Sequence, residues 1–380
     1  MKSKLILIDG ISGAGKDSSA DYISAFFRQY SYNPFIVMEP SDFLGAFIRE
    51  YRKLPEIERD VEIEAELFTL DRKHLVRRSI EPLLKEENNA VISIRSYITT
   101  CAYQSLQGMS LERILELNSF YPKHDLALIF LCEPEEACKR IEKRYIKTGK
   151  PINLSESLEK ISQLKIIYES LIDNLPNTKI IITDGSESAV QYQVKCHLNN
   201  LFNIEMEKAI LLDKDGVLVD NTDYPRVIPT DKVYMGKTVN GLRKLQQQRY
   251  KLIIISNQPW IAKGRLTLSE TNKIFESVLA QYLDKGVKID AFYYCPHQSS
   301  DSCRCKKPKT ELLEKAGEIF NIDVSQSYFI GDMKADMLTG KNFGLKTCLI
   351  RGHATEDSIG VKPNYEVSSL NEFANILFPD

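Results

Sequence analysis

The chain has 380 residues, a formal net charge of −2 and 43% hydrophobic residues. These proportions are typical of a folded protein with two or three domains. There is no basic surplus of the kind that indicates nucleic-acid binding, and no apolar run reaches the length of a membrane span. The first residues lead into a strand-like run that is too short for a signal peptide. We therefore expect a cytoplasmic protein without a membrane partner and with reduced scattered cysteines.

The first predicted element is an apolar strand, Leu5–Ile8, followed by a glycine-rich loop and a helical pattern. A strand, a G-x-x-x-x-G-K loop and a helix in this order predict a P-loop, in which backbone N–H groups bind phosphate. ATP is the expected phosphate donor, and Lys16 supplies a mobile cation for its terminal phosphates. The predicted cofactor-binding loop residues are Gly10, Gly13, Gly15, Lys16, Asp17 and Ser18, where Asp17 replaces the usual Mg²⁺-binding hydroxyl.

Further strands alternate with helices along the first half, which predicts a doubly wound parallel sheet. The helical stretch that follows the fourth strand carries Arg140 and Arg144 one turn apart. This spacing predicts a lid that closes over the phosphates. A closing helix is expected at Ser186–Leu198, and the aperiodic segment Asn199–Glu207 predicts a boundary. We therefore expect domains at 1–203 and 207–380.

The first half resembles the thymidylate kinases. The matching positions are Asp9 before the loop, Glu39-Pro40 after the second strand, Gly45 with Ile48-Arg49, the F-x-x-D-R segment Phe68–Arg72 and the A-Y-Q segment Ala102–Gln104. The resemblance implies that Phe68 stacks on a base, Arg49 holds the acceptor phosphate and Arg72 contacts the base. It also implies substrate binding by Asp9, Tyr103 and Gln104. Arg95 matches a family arginine, and Glu39 lies where similar deoxynucleoside kinases have their general base, so both are candidate catalytic residues.

The second half opens with a buried-strand pattern, Ile210–Leu212, that ends in Asp213 and Asp215. Two carboxylates at the end of such a strand repel each other, and a cation such as Mg²⁺ would relieve that cost. One aspartate could then attack phosphorus while the other moves a proton. A solvated turn is the alternative for such a pair when it is considered alone. After the next strand, Ser256 and Asn257 offer a hydroxyl and an amide for a phosphate oxygen.

A cluster of soft ligands follows the next predicted strand. Cys295, His297, Cys303 and Cys305 lie within eleven positions, and four such ligands predict a structural zinc site with no open position. Lys307 follows directly and would stabilise a phosphorylated aspartate. The last predicted strand, Tyr328–Ile330, is followed by two more acids, Asp332 and Asp336. Acids, a hydroxyl and a lysine that converge at strand ends favour an active site over a surface turn.

The second half resembles the haloacid dehalogenase-type phosphatases, and most closely the zinc-containing branch with heptose-bisphosphate and histidinol-phosphate phosphatases. The matching motifs are D-x-D-G-V at Asp213–Val217, S-N-Q…I-A-x-G at Ser256–Gly264, the cysteine-histidine loop, K-P at Lys307–Pro308 and G-D-x-x-x-D at Gly331–Asp336. The resemblance implies a nucleophile at Asp213 and an acid/base at Asp215. It implies phosphate binding by Ser256 and stabilisation by Lys307. Asp213, Asp332 and the Asp215 carbonyl would hold Mg²⁺ with support from Asp336, and Asn257 and Lys306 would contact substrate.

We therefore expect two doubly wound α/β domains, a P-loop kinase fold followed by a Rossmann-like phosphatase fold with a small zinc loop. The expected activity is ATP-dependent phosphorylation of a nucleotide-like acceptor together with phosphate monoester hydrolysis. Partners would be small nucleotide or sugar phosphates, and a homodimer through the kinase domain stays open. Repair of nucleic-acid ends is a less favoured alternative, with Asp42 as its candidate base. A further alternative is a phosphatase regulated by a non-catalytic nucleotide-sensing domain, and another is nucleotide salvage by two independent domains.

Overall fold

The computed structural model describes residues 1–55, 58–149, 152, 156–219, 236–351 and 361–379, with Lys237 described by its backbone alone. The chain divides into two compact units, Met1–Asp184 and Gly185–Asp380. Among the described residues, no helix combines the length and the apolar character that crossing a bilayer requires.

The first unit contains a five-stranded parallel sheet with the strand order β2-β3-β1-β4-β5. Its strands are β1 (Lys4–Gly10), β2 (Asn33–Met38), β3 (Asn89–Ile94), β4 (Leu126–Leu131) and β5 (Thr178–Ile182). Its helices are α1 (Lys16–Gln29), α2 (Gly45–Tyr51), α3 (Val61–Leu75), α4 (Glu81–Lys85), α5 (Tyr97–Leu106), α6 (Leu111–Leu117), α7 (Pro134–Thr148) and α8 (Leu158–Leu171). A π-helical turn, Val76–Ile80, joins α3 to α4.

Strand β1 lies at the centre of this sheet. Leu5 pairs with Val91 of β3, and Ile8 pairs with Leu128 of β4. Both residues of β1 are fully buried, as the continuous apolar run of a central parallel strand predicts. The chain continues from β1 to β2 on one side, while β4 and β5 extend the sheet on the other. The carboxyl end of β1 is therefore the switch point at which open α/β sheets bind their ligands.

The second unit contains a six-stranded parallel sheet with the order β11-β10-β9-β6-β7-β8. Its strands are β6 (Ala209–Leu212), β7 (Lys251–Asn257), β8 (Ala291–Cys295), β9 (Tyr328–Gly331), β10 (Lys346–Ile350) and β11 (Tyr365–Val367). Its helices are α9 (Glu187–Leu201), α10 (Lys237–Gln247), α11 (Leu268–Asp284), α12 (Glu311–Phe320), α13 (Lys334–Asn342) and α14 (Leu370–Leu377).

In this second sheet the order reverses between β6 and β9. Leu212 of β6 pairs with Ile330 of β9, and each strand is followed closely by an acid. Asp213 comes directly after β6, and Asp332 directly after β9. The two carboxylates therefore start from adjacent strand ends at the switch point, which is the position that the motif order predicted.

Helix α9 belongs to the second unit, whereas the sequence placed it at the end of the first domain. Ala189 and Tyr192 lie in one buried cluster with residues of β6, β7 and α12. The Tyr192 hydroxyl lies 2.7 Å from the carbonyl oxygen of Gly317 and 2.9 Å from that of Ile322. A Cβ at Gly317 would approach the Tyr192 ring to 2.8 Å. The compact units therefore divide at Asp184, ahead of the expected boundary, because α9 buries its apolar face against the second sheet.

Candidate active sites

The loop between β1 and α1 has the geometry of a phosphate-binding P-loop. Gly10, Gly13 and Gly15 all have positive φ angles, of 128°, 81° and 78°. A Cβ at Gly10 would lie 2.1 Å from the Phe130 carbonyl oxygen, so no side chain fits where β1 passes β4. The Lys16 Nζ donates to two loop carbonyl oxygens, at 2.7 and 3.0 Å. The Lys16 side chain therefore lies back against the loop, whose backbone N–H groups can bind a phosphate.

Two cations meet at this loop. Burial, and then the charge of nearby Arg95, lower the pKa of Lys16 to about 7, and a bound phosphate would oppose this shift. Arg95 follows β3 with a φ of 66°, a left-handed conformation that is uncommon for such residues and that clusters at active sites. Asp17 and Ser18 lie exposed in the first turn of α1, where Ser18 Oγ donates to the Gly15 carbonyl oxygen at 2.9 Å.

Glu39, the predicted general base, forms a buried ion pair with Arg72, with 2.7 Å between Nη2 and Oε2. The guanidinium also donates to Asn118 Oδ1 at 2.5 Å and to Thr100 Oγ1 at 2.9 Å. Arg72 is 1% exposed, so the expected contact with a substrate base is not available in this arrangement. Arg72 instead fixes the position of Glu39. Burial raises the pKa of Glu39 to about 7, and the charge of Arg72 opposes the shift.

The remaining predicted acceptor-site residues occupy several elements of the first unit. They are Arg49 on α2, which is exposed, Phe68 on α3, which is half-buried, and Tyr103 and Gln104 on α5, which are half-buried and buried. Asp9 differs from the expectation, because its buried carboxylate accepts from Ser96 Oγ at 2.7 Å and from Thr99 Oγ1 at 2.5 Å. Asp9 therefore ties the end of β1 to the start of α5 and is not directed at a substrate.

Arg140 and Arg144 lie one turn apart on α7, as their spacing predicted, but neighbouring groups hold both of them. Arg140 donates to Glu136 Oε1 at 2.9 Å and to the Thr183 carbonyl oxygen at 2.7 Å. Arg144 pairs with Glu156 at 3.0 Å. In this arrangement the two guanidinium groups do not form the expected lid over the P-loop, because each would have to exchange these partners for a phosphate.

In the second unit, Lys307 bridges two carboxylates at the switch point. Its Nζ lies 2.8 Å from Asp213 Oδ1 and 2.6 Å from Asp336 Oδ1, and it donates to the Ile255 carbonyl oxygen at 3.1 Å. Burial alone would lower the pKa of Lys307, but the two carboxylates outweigh burial and raise that pKa. Burial raises the pKa of Asp213 to about 7 against the opposing effect of Lys307. A fixed ammonium therefore lies beside the predicted nucleophile.

The same point of the sheet has a ligand set that fits a divalent cation. Asp213, Asp332 and Asp336 are buried, and each offers a carboxylate oxygen within 4.8 Å of the others. With one ammonium from Lys307, three carboxylates leave an excess of negative charge that burial makes costly. Mg²⁺ would balance it with preferred oxygen ligands. Asp336 already accepts from Lys307 and from the Met333 N–H, at 3.1 Å, so Asp336 fits the predicted supporting role.

Asp215, the predicted acid/base, is held by two side chains to which the sequence analysis gave no role. Lys214 is fully buried and forms an ion pair with the Asp215 carboxylate. The Gln258 Nε2 donates to Asp215 Oδ2 and to Ser256 Oγ, both at 2.9 Å. The sequence signal was present, since Lys214 separates the two aspartates and Gln258 ends the S-N-Q segment.

Asn257 and Lys306, the predicted substrate contacts, are occupied elsewhere. Asn257 Oδ1 accepts from the Lys307 N–H at 3.0 Å, and its Nδ2 donates to the Lys307 carbonyl oxygen at 3.4 Å. Both ends of the amide are used on one backbone unit, so Asn257 holds the backbone of Lys307, the predicted stabilising lysine. The Lys306 Nζ donates to Ser299 Oγ at 3.0 Å, which places it on the surface of the cysteine-histidine loop.

The predicted soft-ligand cluster is brought together by the fold. The ligand atoms of Cys295, His297, Cys303 and Cys305 lie within 4.8 Å of one another. Cys295 Sγ is 3.2 Å from Cys305 Sγ and 3.7 Å from Cys303 Sγ, and these separations suit a tetrahedral metal site with bonds of about 2.0–2.3 Å. The Cys295 carbonyl oxygen accepts from the Gln258 N–H at 2.7 Å. The cysteine-histidine loop is thereby linked to the residue that holds Asp215.

Comparison with known proteins agrees with both halves. The Thymidylate kinase family profile matches residues 8–194, and the HAD-hydrolase-like profile matches residues 304–373. D-glycero-beta-D-manno-heptose-1,7-bisphosphate 7-phosphatase of Pasteurella multocida is 32% identical over 181 residues, which are 45% of this chain and 97% of that protein. The enzyme of the same name from Haemophilus ducreyi is 34% identical over 149 residues, 37% of this chain and 81% of that protein.

Among solved structures, the D,D-heptose 1.7-bisphosphate phosphatase of B. bronchiseptica is 22% identical with a TM-score of 0.42, covering 45% of this chain and 97% of that chain. The two profiles cover different halves of the chain and describe two kinds of phosphate chemistry, and the sequence relatives share the phosphatase chemistry of the second. The chain therefore belongs to the haloacid dehalogenase-type phosphate hydrolases that include the heptose-bisphosphate 7-phosphatases, and it joins to that domain a phosphotransferase domain of the thymidylate kinase type.

Proposed function

We propose that the two domains act on small phosphorylated molecules, the first as an ATP-dependent kinase of a nucleotide-like acceptor and the second as a phosphate monoesterase. The observation that carries the proposal is the buried group of Asp213, Lys307, Asp332 and Asp336. This group offers a nucleophile, a fixed cation and a Mg²⁺ site at one strand-end crevice. Nucleic acid is not the favoured partner, because the chain has a formal net charge of −2.

In the phosphatase reaction, a carboxylate oxygen of Asp213 attacks phosphorus and the bond from phosphorus to the ester oxygen breaks. Asp215 gives its proton to that leaving oxygen. Water then attacks the aspartyl-phosphate and passes a proton to Asp215, which releases inorganic phosphate and restores the Asp213 carboxylate. The Lys307 ammonium would stabilise the negative charge of the phosphorylated aspartate, and the Ser256 hydroxyl would donate to a phosphoryl oxygen. Mg²⁺ held by Asp213, Asp332 and the Asp215 carbonyl oxygen would add further stabilisation of negative charge.

In the kinase reaction, Lys16 and Arg95 would neutralise the phosphates of ATP, and Asp17 or Ser18 would hold Mg²⁺. Glu39 would take the proton of the acceptor hydroxyl, with Arg72 fixing its orientation. The acceptor would be bound by Arg49, Phe68, Tyr103 and Gln104, which is the assignment that the thymidylate kinase resemblance implies.

We also propose that the cluster of Cys295, His297, Cys303 and Cys305 holds a structural zinc ion. Four protein ligands leave no open position for chemistry. Three clustered thiols require a reducing compartment to remain ligands, which supports a cytoplasmic location.

The heptose-1,7-bisphosphate 7-phosphatases to which this chain is similar remove one phosphate from a sugar bisphosphate. Opposed reactions at a single position would be futile on one chain. We therefore propose relocation of a phosphate: the kinase phosphorylates one position of an acceptor that already carries a phosphate, and the phosphatase removes the phosphate at the other. A bisphosphorylated compound is then the product of the first site and the substrate of the second.

The test uses the full chain, ATP and a panel of nucleoside and sugar monophosphates, with ADP release and inorganic phosphate as readouts. Asp213→Asn should accumulate a bisphosphate, and Lys16→Ala should hydrolyse an added bisphosphate without forming it. If neither holds while oligonucleotides with 5′-hydroxyl or 3′-phosphate ends are processed, the chain repairs nucleic-acid ends. If no acceptor supports ATP turnover but ATP changes the phosphatase rate, the first unit is a nucleotide sensor.

A further inference from the structure

We propose that Gln258 is a positioning residue that aligns two groups at once, the Ser256 hydroxyl and the Asp215 carboxyl group. The inference rests on the proposed phosphatase function. Both partners lie 2.9 Å from the same atom, Gln258 Nε2. An amide nitrogen carries two hydrogens, so it can donate to both partners simultaneously. Gln258 is 1% exposed, which keeps water from replacing either bond.

The bond to Ser256 sets the direction of its hydroxyl proton. Because Ser256 Oγ accepts from Gln258, its own proton is left to be donated elsewhere. Ser256 is 1% exposed at the carboxyl end of β7, and the expected acceptor there is an oxygen of the substrate phosphate. Without Gln258, the hydroxyl would be free to turn its proton toward other acceptors, including the Asp215 carboxylate.

The bond to Asp215 sets the orientation of the proton donor. Gln258 holds Oδ2, and Lys214 holds Oδ1. A protonated carboxyl group still accepts hydrogen bonds, so this arrangement can persist in both protonation states. The Asp215 side chain remains 24% exposed, so a leaving group can reach it. Gln258 thus links the group that binds phosphate to the group that protonates the departing oxygen.

The position of Gln258 is itself fixed from the cysteine-histidine loop. Its backbone N–H donates to the Cys295 carbonyl oxygen at 2.7 Å, and Cys295 is one of the four clustered ligands. A few residues along the chain, the Ala262 N–H donates to the Pro296 carbonyl oxygen at 3.2 Å. The cysteine-histidine loop therefore contributes to catalysis by holding the backbone of the positioning residue.

The test compares two substrates of the full chain that differ in leaving group, an alkyl phosphate such as glycerol phosphate and the aryl ester p-nitrophenyl phosphate. An alkoxide needs a proton to depart, whereas p-nitrophenolate departs without one. Gln258→Met keeps the length of the side chain and removes both donors. The comparison uses kcat/KM, which reports the steps up to departure of the leaving group, because hydrolysis of the aspartyl-phosphate is common to both substrates. We expect kcat/KM on the alkyl phosphate to fall about 100-fold, with a much smaller loss on the aryl phosphate. Gln258→Glu should show the same selectivity, and Asp215→Asn provides the reference for a lost acid.

Equal losses of kcat/KM on the two substrates, or unchanged values on both, would overturn the inference. Gln247→Glu is the matched control, because Gln247 lies exposed on α10. If Gln258→Met fails to fold by circular dichroism, Gln258→Glu decides the question by the same ratio. Failure of the underlying function gives a different pattern: wild type would hydrolyse neither ester, or Asp213→Asn would hydrolyse both as fast as wild type.

Discussion

The side-chain amide of Asn257 is bonded at both ends to the backbone of Lys307. The Lys307 N–H donates to Oδ1 at 3.0 Å, and Nδ2 donates to the Lys307 carbonyl oxygen at 3.4 Å. This pair of hydrogen bonds fixes the Lys307 backbone at the end of β7. It thereby sets the position of the Lys307 Nζ, which lies 2.8 Å from Asp213 Oδ1. Asn257 therefore holds the proposed catalytic cation in place, although the family resemblance suggested a direct substrate contact.

Replacing Asn257 by alanine should lower kcat of the phosphatase by about 100-fold, because a displacement of the ammonium by an ångström misaligns the charge that it provides. KM should change little, since the side chain does not bind substrate. Steady-state kinetics with an excess of Mg²⁺ measure both constants. Asn240→Ala, an exposed change on α10, is the control. A rise in KM at unchanged kcat would restore the substrate-contact assignment.

Loss of the cysteine-histidine cluster should lower the phosphatase activity and leave the kinase activity unchanged. Cys303→Ser leaves three soft ligands, and the affinity for zinc should fall by more than the 10–100-fold that outer-sphere changes typically cost. Metal analysis of the purified protein should show less than one zinc ion per chain, with a lower phosphatase rate and normal ADP formation by the kinase. Cys138→Ser is the matched control, since Cys138 is a free thiol on α7. Equal metal content in both variants would remove the zinc assignment.

Kinase activity should rise as the pH passes about 7. Burial raises the pKa of Glu39 to about 7, and a general base works only as the carboxylate. Protonation at lower pH therefore removes the base. The dependence of kcat on pH should show this rising limb in wild type and lose it in Glu39→Gln.

Asp42→Asn is the comparison for the pH profile, because Asp42 is exposed and was the alternative candidate base. If Asp42→Asn abolishes the rising limb while Glu39→Gln keeps it, Asp42 is the base and end repair of nucleic acids gains support. Arg72→Gln should shift the limb to higher pH, because the Arg72 charge lowers the pKa of Glu39. Circular dichroism must accompany that variant, since breaking a buried pair costs about 3–5 kcal/mol.

Tyr192→Phe should destabilise the phosphatase unit by about 0.5–1.5 kcal/mol, the usual net contribution of a hydrogen bond, because it removes the hydroxyl that lies against the carbonyl oxygens of Gly317 and Ile322. Each carbonyl keeps another donor, the Ile322 N–H and the Cys196 thiol respectively. In a urea titration, phosphatase activity should disappear at a lower concentration than in wild type, with the kinase midpoint unchanged. Tyr145→Phe, on the exposed part of α7, should shift neither midpoint. A shift of the kinase midpoint alone would place α9 functionally with the first unit.

The sequence predicted those features that follow from local pattern. Apolar runs located the central strands, and the acids, lysine and cysteines that follow them were correctly expected to converge, because parallel strands end at one edge of a sheet. Pairing between distant side chains was not predictable in this way. The S-N-Q segment places Gln258 near the site, but the chain order does not show that its amide reaches both Asp215 and Ser256, or that Arg72 turns inward to Glu39.

The assignment of α9 was missed for a related reason. Its apolar face is as suitable for one parallel sheet as for another, and sequence neighbourhood favoured the strand just before it. The contact that decides the position of α9 is between Tyr192 and Gly317, because the missing side chain of Gly317 leaves space for the Tyr192 ring. These two residues are more than a hundred positions apart in sequence. A pattern of hydrophobicity does not reveal such a match.

The position of α9 determines how the two activities can be separated by protein engineering. A phosphatase cloned from residue 207 onward would lack the helix that covers β6, β7 and α12, and would expose Leu211, Leu313 and Phe343 to water. The compact unit that contains the phosphatase site begins at Gly185. A phosphatase fragment should therefore start at or before that glycine if its sheet is to stay covered.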